Sequence, residues 1–137
     1  MTPKKKESPA PRPRILVADD DPAIREILAV QLARLGYEVL TADDGVEAAA
    51  ACASERPDLV LLDMMMPRLD GLGACRRIRE AEGKSGRRVP ILFLTARDSR
   101  HDKTSAALSG GDDFIAKPVS LDDLRERVEA ALKRRPS

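Results

Sequence analysis

Leu59-Val60-Leu61-Leu62-Asp63-Met64-Met65-Met66-Pro67 is the stretch that decides the fold of this 137-residue chain. Its four consecutive apolar residues, rich in branched side chains, predict a strand that is buried on both faces, as in a parallel sheet covered by helices. The strand places one acidic side chain, Asp63, at its downstream end. Such an aspartate is either a cap where a strand meets its loop or part of a polar site. Asp63 alone does not decide between the two.

Four further strand-like stretches alternate with helical patterns around this strand, and they cover residues 15–18, 38–42, 90–95 and 113–117. Five strand-helix units in succession predict a single α/β domain with a parallel sheet, right-handed crossovers and helices on both faces. The helix expected from about Arg100 to Leu108 has only one large apolar residue, so a mobile segment is expected there. The other helices are predicted from apolar residues at helical spacing: Ile24, Ile27, Leu28, Leu32 and Leu35 in the first, an alanine-rich run from Val46 to Ser54, an inward row of Leu72, Cys75 and Ile78, and, after a Ser120 cap, an inward row of Leu121, Leu124, Val128, Ala131 and Leu132.

The composition predicts one domain, at about residues 14–134, and argues against several classes of protein. Residues 1–13 combine four prolines with lysines and predict a disordered basic arm, and residues 135–137 form a short tail. No basic cluster with interleaved aromatic residues occurs, so direct nucleic-acid binding is not expected. No apolar run approaches about eighteen residues, so no membrane association is expected. Cys52 and Cys75 have neither metal-ligand nor redox spacing, which suits small buried thiols and a cytoplasmic protein.

Polar side chains follow four of the predicted strands. Strand one ends in Asp19 and Asp20, strand three in Asp63, strand four in Thr95 and strand five in Lys117. The carboxyl ends of parallel strands lie at the same edge of a sheet, where ligands bind in open α/β folds. The sequence therefore predicts that these five residues, although distant along the chain, form one small site.

The chemistry of this residue set favours a metal ion and a phosphoryl group. Three carboxylates in close contact repel each other, and a divalent cation removes that repulsion. All-oxygen ligands without His or Cys favour Mg²⁺, with Mn²⁺ as a substitute. Lys117 and Thr95 add a positive charge and a hydroxyl donor for a phosphoryl unit, with Asp63 as its acceptor. The alternative is a purely structural ion pair between Lys117 and one aspartate, which leaves Thr95 and the acidic pair unexplained.

From about Arg14 to Arg134 these residues resemble the receiver domain of two-component response regulators. The motifs that carry the resemblance are Ile15-Leu16-Val17-Ala18-Asp19-Asp20-Asp21, Leu61-Leu62-Asp63-Met64-Met65-Met66-Pro67 with Asp70-Gly71, Leu94-Thr95-Ala96, and Lys117-Pro118. The resemblance implies a flavodoxin-like, doubly wound (βα)5 sheet with strand order 2-1-3-4-5. It also implies that Asp63 is the phosphoacceptor, and that Asp19, Asp20, Asp63 and the backbone carbonyl of Met65 form the Mg²⁺ site.

The resemblance further implies a switch and its partners. Thr95, Ala96, Lys117 and Phe114 would bind the phosphoryl group or respond to it, although Phe114 lacks the phenol hydroxyl of many relatives. A histidine kinase or histidine phosphotransfer protein would supply the phosphoryl group. The helix after the fourth strand, the fifth strand and the last helix would form the readout face and a possible homodimer contact.

Two other functions remain open from the sequence. An aspartyl phosphohydrolase would want a second carboxylate two residues after its nucleophile, where this chain has Met65. A receiver-like binding module that never accepts phosphate usually lacks one of the acidic residues, the threonine or the lysine. This chain has all of them.

Overall fold

The computed structural model describes residues 12–83, 85–96, 104–105, 107 and 109–134. Its five strands are β1 (Arg14–Ala18), β2 (Glu38–Ala42), β3 (Leu59–Asp63), β4 (Ile91–Ala96) and β5 (Asp113–Lys117). Its described helices are α1 (Pro22–Arg34), α2 (Gly45–Glu55), α3 (Gly71–Glu82) and a C-terminal helix (Leu121–Arg134).

All strand pairs are parallel and the sheet order is β2-β1-β3-β4-β5. Because all the strands are parallel, their carboxyl ends lie at one edge of the sheet. The predicted fold class and strand order are both confirmed. None of the described helices is long and apolar enough to cross a membrane.

Two apolar cores lie on opposite faces of the sheet, because side chains of successive strand residues point to opposite sides. Leu16, Val60 and Phe93 pack toward α2 and α3, whereas Leu61 and Ile115 pack toward α1 and the C-terminal helix. All five residues of β3 are buried, as predicted for a strand covered on both faces. This burial makes β3 the centre of the molecule and fixes the position of Asp63 at its end.

Two apolar residues do not lie where helical spacing predicted. Ile27 is 56% exposed on α1, because it lies one position off the row that contains Leu28 and Leu32. Leu121 was expected to face inward but is 44% exposed, since it is the first residue of the C-terminal helix and precedes the turn that reaches the core through Leu124. The Ser120 cap is confirmed: its Oγ accepts a hydrogen bond from the backbone N–H of Asp123 at 3.1 Å.

The two cysteines are buried, free thiols, as predicted. Burial raises the pKa of Cys52 to about 12 and the pKa of Cys75 to about 11. The Cys75 thiol donates to the carbonyl oxygen of Ser109 at 3.2 Å. Three sequence predictions fall largely outside the described residues: the arm of residues 1–13, the tail of residues 135–137 and most of the helix from about Arg100 to Leu108, of which residues 104, 105 and 107 have helical backbone.

Candidate functional site

The five predicted polar residues are positioned by four strands at one edge of the sheet. Asp63 is the last residue of β3, and Lys117 is the last residue of β5. Asp19 follows β1, where Ala18 pairs with Leu62. Thr95 is the residue of β4 that follows Leu94, and Leu94 pairs with Asp63. The parallel register thus brings residues from distant parts of the chain to a common edge.

Three carboxylates converge at this edge. Oxygens of Asp19, Asp20 and Asp63 all lie within 4.8 Å of one another. Asp19 is fully buried and Asp63 is 6% exposed, whereas Asp20 faces solvent. Two buried acids and one accessible acid form an oxygen-rich cluster that is open on one side. Such a donor set fits a small divalent cation that keeps some of its water ligands.

Lys117 bridges the two buried carboxylates. Its Nζ donates to Asp63 Oδ1 at 3.1 Å and lies 3.2 Å from Asp19 Oδ2. The second contact is an ion pair without hydrogen-bond geometry, since no described residue donates to Asp19 Oδ2. One lysine thus faces two buried acids, so the cluster keeps an excess of negative charge. The structural ion pair considered from the sequence is present, but it leaves this excess in place.

The pKa values of this group reflect burial and mutual repulsion. Burial and the charge of Asp19 raise the pKa of Asp63 to about 6, against the opposing effects of Lys117 and of the Met65 backbone N–H. Burial lowers the pKa of Lys117, but the carboxylates of Asp63 and Asp19 outweigh it and the net change is upward. The lysine therefore stays charged, while Asp63 is less acidic than an ordinary aspartate.

Thr95 places a buried hydroxyl group at the same edge of the sheet. The residue is 1% exposed, and its Oγ1 forms no hydrogen bond to any described residue. A buried hydroxyl without a partner costs roughly 1–3 kcal/mol. An oxygen of a bound anion would satisfy it, so the threonine fits a phosphoryl group at this edge.

The loop after β3 is held in place by a close backbone contact. The Gly71 backbone N–H donates to the Met64 carbonyl at 3.0 Å, and a Cβ at position 71 would lie 2.2 Å from the carbonyl oxygen of Asp63. Asp70 caps α3 by accepting from the Gly73 N–H at 2.8 Å. The Asp70-Gly71 pair thus ties the Met65 loop to α3. The Met65 side chain itself is 77% exposed.

Phe114 and Ala96 complete the predicted set. Phe114 is half-buried on β5 and packs against the core beneath α2 and α3. Ala96 is the last residue of β4 and pairs with Lys117, and its side chain lies outside the described part.

Arg25 also contributes to the site, through a contact that was not predicted from the sequence. Its guanidinium donates to the backbone carbonyl of Asp19 at 2.7 Å, and the Asp21 N–H donates to Asp19 Oδ1 at 2.9 Å. These two bonds hold the acidic loop against the start of α1. An arginine in the first turn of a helix after an acidic loop is the only sequence signal, and it is a weak one.

A family comparison matches this chain to one domain type. The family model of the response regulator receiver domain matches residues 15–129. The response regulator MprA of Mycobacterium avium is 50% identical over 121 residues, which cover 88% of this chain and 51% of that protein. The chain therefore spans about half the length of the curated relatives that it matches.

Two solved structures of receiver domains are similar to this chain over most of its length. A receiver domain of a sensor histidine kinase from Pseudomonas aeruginosa, with magnesium coordinated in its active site cleft, is 34% identical with a TM-score of 0.81, covering 89% of this chain and 98% of that one. A receiver domain from Saccharomyces cerevisiae, crystallised with a histidine phosphotransfer protein, is 30% identical with a TM-score of 0.83, covering 88% of this chain and 89% of that one.

Proposed function

The chain belongs to the response regulator receiver domain family, and on this premise we propose that Asp63 accepts a phosphoryl group in a Mg²⁺-dependent reaction. The phosphoryl donor is a histidine kinase or a histidine phosphotransfer protein. The observation that carries the proposal is the contact of Lys117 with both Asp63 and Asp19, beside an accessible Asp20. The protein is a phosphoacceptor switch and not a turnover enzyme.

The residues present fit a Mg²⁺ ion, with Mn²⁺ as a substitute. Asp19, Asp20, Asp63 and the backbone carbonyl of Met65 would hold it, and all of these donors are oxygens. When bound, Mg²⁺ supplies positive charge that offsets both the carboxylate repulsion and the charge of the incoming phosphoryl group. The net negative charge left after Lys117 has paired with two acids supports this assignment.

The transfer step uses side chains from three strands. An oxygen of Asp63 forms a bond to phosphorus while the bond from phosphorus to the donor's histidine nitrogen breaks, and the electron pair of that bond returns to the nitrogen. The product is an acyl phosphate. Lys117 faces the transferred oxygens with its positive charge. The hydroxyl of Thr95, which forms no hydrogen bond to a described residue, donates to one of them.

The switch follows from the same contacts. Once phosphorylated, Asp63 carries more negative charge, so Thr95 and Lys117 gain a new partner and Ala96 moves with the end of β4. The half-buried Phe114 packs on the face of the sheet that is covered by α2 and α3. Phosphorylation shifts the balance of two arrangements only by the difference in its contacts with each.

Exposed apolar residues on the segments that follow Asp20 and Asp63 suit a docking partner. Met65 is 77% exposed in the loop after Asp63, and Ile27 is 56% exposed on α1, which begins directly after the acidic loop. A histidine phosphotransfer protein contacts the similar yeast receiver domain. We place the protein in the cytoplasm, without nucleic-acid contact of its own. A homodimer would form through β5, the C-terminal helix and the segment after β4.

Acetyl phosphate with Mg²⁺, followed by intact mass measurement, tests the phosphoacceptor role. The wild-type chain should gain the mass of one phosphoryl group, and an excess of EDTA should prevent the gain. Asp63→Asn should abolish it, whereas Asp43→Asn, a change at an exposed aspartate outside the cluster, should not.

Each remaining outcome points to a different function. Label that persists in Asp63→Asn would move the acceptor elsewhere. A wild-type chain that takes no label would be a binding module, and steady hydrolysis of a phosphate monoester would indicate a phosphohydrolase.

A further inference from the structure

A cavity of about 580 Å³ lies between α2 and α3, separate from the acidic edge of the sheet. Apolar side chains make up most of its wall, including Ala49 and Ala53 of α2 and Ile78 and Ala81 of α3. None of the phosphoacceptor residues lines it. Pockets for small molecules have volumes of about 300–1,000 Å³ and mostly apolar walls with a few polar groups, and this cavity matches both properties.

The alanine-rich sequence of α2 accounts for this cavity. Ala48 points into the core below the helix, where it is buried, whereas the buried Cys52 contacts both that core and the cavity. Ala49 and Ala53 face the cavity instead, and their methyl groups leave space that a leucine or isoleucine would fill. The small side chains of α2 thus leave a space between this helix and α3.

Three arginines border the cavity. Arg56, Arg77 and Arg87 line it, and none of them forms an ion pair with a described residue. Among the described residues, the Arg87 guanidinium donates to the backbone carbonyls of Arg56 and Pro57 and to no carboxylate.

The one acid in the lining is already engaged. Glu82 accepts from Arg79 at 2.7 Å and from the Val89 N–H at 2.6 Å. The cavity therefore combines an apolar wall with a rim of arginines that form no ion pair with a described residue.

We propose that this cavity binds a small amphiphilic anion, with an apolar body against the alanines of α2 and Ile78 and a carboxylate or sulfonate head at the arginines. A basic ligand would be repelled by the rim. A fully polar ligand would leave the apolar wall without contacts. The proposal is independent of phosphoryl transfer, because the two sites share no residue.

Anilinonaphthalene sulfonate, a fluorescent amphiphilic anion, tests the proposal on the full chain. Its fluorescence should rise with saturable binding at one site, and decanoate should displace it. Arg77→Glu should weaken binding about tenfold, since the change removes one attraction and adds one repulsion at the rim. Ala49→Leu should weaken it by filling the cavity.

Arg76→Glu is the matched control, because Arg76 is the adjacent exposed arginine of α3 and does not line the cavity. It should bind the probe as the wild-type chain does, and circular dichroism should confirm that all three variants are folded. Amide chemical shifts should change at α2 and α3 on adding decanoate. The proposal is overturned by shift changes confined to other surfaces, by equal binding in Arg77→Glu and Arg76→Glu, or by the absence of saturable binding.

Discussion

Asp63 carries a charge that its surroundings compensate only in part. Its carboxylate is almost fully buried and lies beside that of Asp19, and both rely on Lys117. The consequence is a pKa near 6 in place of 3.8. Because the folded protein holds the Asp63 proton more tightly than the unfolded chain does, the ionised residue destabilises the fold at neutral pH.

Asp63→Asn should therefore stabilise the metal-free protein at pH 7 by about 1–3 kcal/mol. Protonated Asp63 stabilises the fold, and this stabilisation is fully present below pH 3.8 and is lost as the pH rises through about 6. The advantage of the variant should consequently shrink as the pH falls through this window. Urea unfolding of both proteins in EDTA at several pH values measures this difference in the free energy of unfolding.

Asp20→Asn is the control for this measurement, because Asp20 belongs to the same cluster but faces solvent. Its effect on the free energy of unfolding should be smaller than that of Asp63→Asn. A variant at position 63 that is less stable than the wild type at pH 7 would show that the pairing with Lys117 outweighs the cost of burial.

The residues of this site could be predicted from the sequence, whereas their mutual contacts could not. Asp19, Asp63, Thr95 and Lys117 were all placed at one edge, because the parallel sheet follows from the strand-helix alternation. That Lys117 would bridge two acids, or that Arg25 would hold the acidic loop, depends on side-chain geometry that spacing does not encode.

At the scale of elements, the loop between β3 and α3 depends on one glycine. A methyl group at position 71 would collide with the backbone of Asp63, which has no flexible end to move away. Gly71→Ala should destabilise the fold by about 2 kcal/mol or more and slow labelling of Asp63 by acetyl phosphate. Thermal unfolding and the rate of mass gain measure the two effects.

Gly83→Ala provides the matched comparison at the other end of α3. A Cβ there would be no closer than 3.4 Å to its neighbours, and the backbone is helical. We expect a change within about 1 kcal/mol and an unaltered labelling rate. Equal effects of the two substitutions would contradict the close-contact explanation for Gly71.

Arg79 joins α3 to the segments that lead into β4 and β5. Its guanidinium donates to Glu82 at 2.7 Å, to the Val89 carbonyl at 2.7 Å, to the Gly110 carbonyl at 2.9 Å and to Asp112 at 2.9 Å. The planar fork of arginine makes these bonds together, which a lysine cannot do.

Arg79→Lys should therefore cost about 2–4 kcal/mol, since it leaves several half-buried acceptors without donors. Arg76→Lys, at an exposed position on the same helix, should be nearly neutral. Urea midpoints of both variants provide the measurement. Nothing in the sequence singled out Arg79, because its four partners are spread from position 82 to position 112.

At the scale of the whole molecule, strand order decides which part of the site is most rigid. β3 lies between β1 and β4, is buried on both faces and ends at Asp63. β1 also has a neighbour on each side and leads into Asp19. Among the described strands, β5 pairs with β4 alone, at the edge of the sheet, and it ends at Lys117. The acids thus rest on central strands, and the lysine rests on a strand with one partner.

Hydrogen exchange should reveal this difference. Amides of Leu61 and Leu62 in β3 should exchange only through global unfolding, whereas those of β5 should also exchange through local opening of the sheet edge. In that case the Lys117 side chain would separate from Asp63 and Asp19 while the two acids stay together. The lysine would then be the mobile residue of the site. Amide exchange followed by NMR at increasing urea separates the two modes, because only global unfolding depends steeply on urea. If β5 amides showed the same urea dependence as β3 amides, the edge would not open on its own and the lysine would be as fixed as the acids.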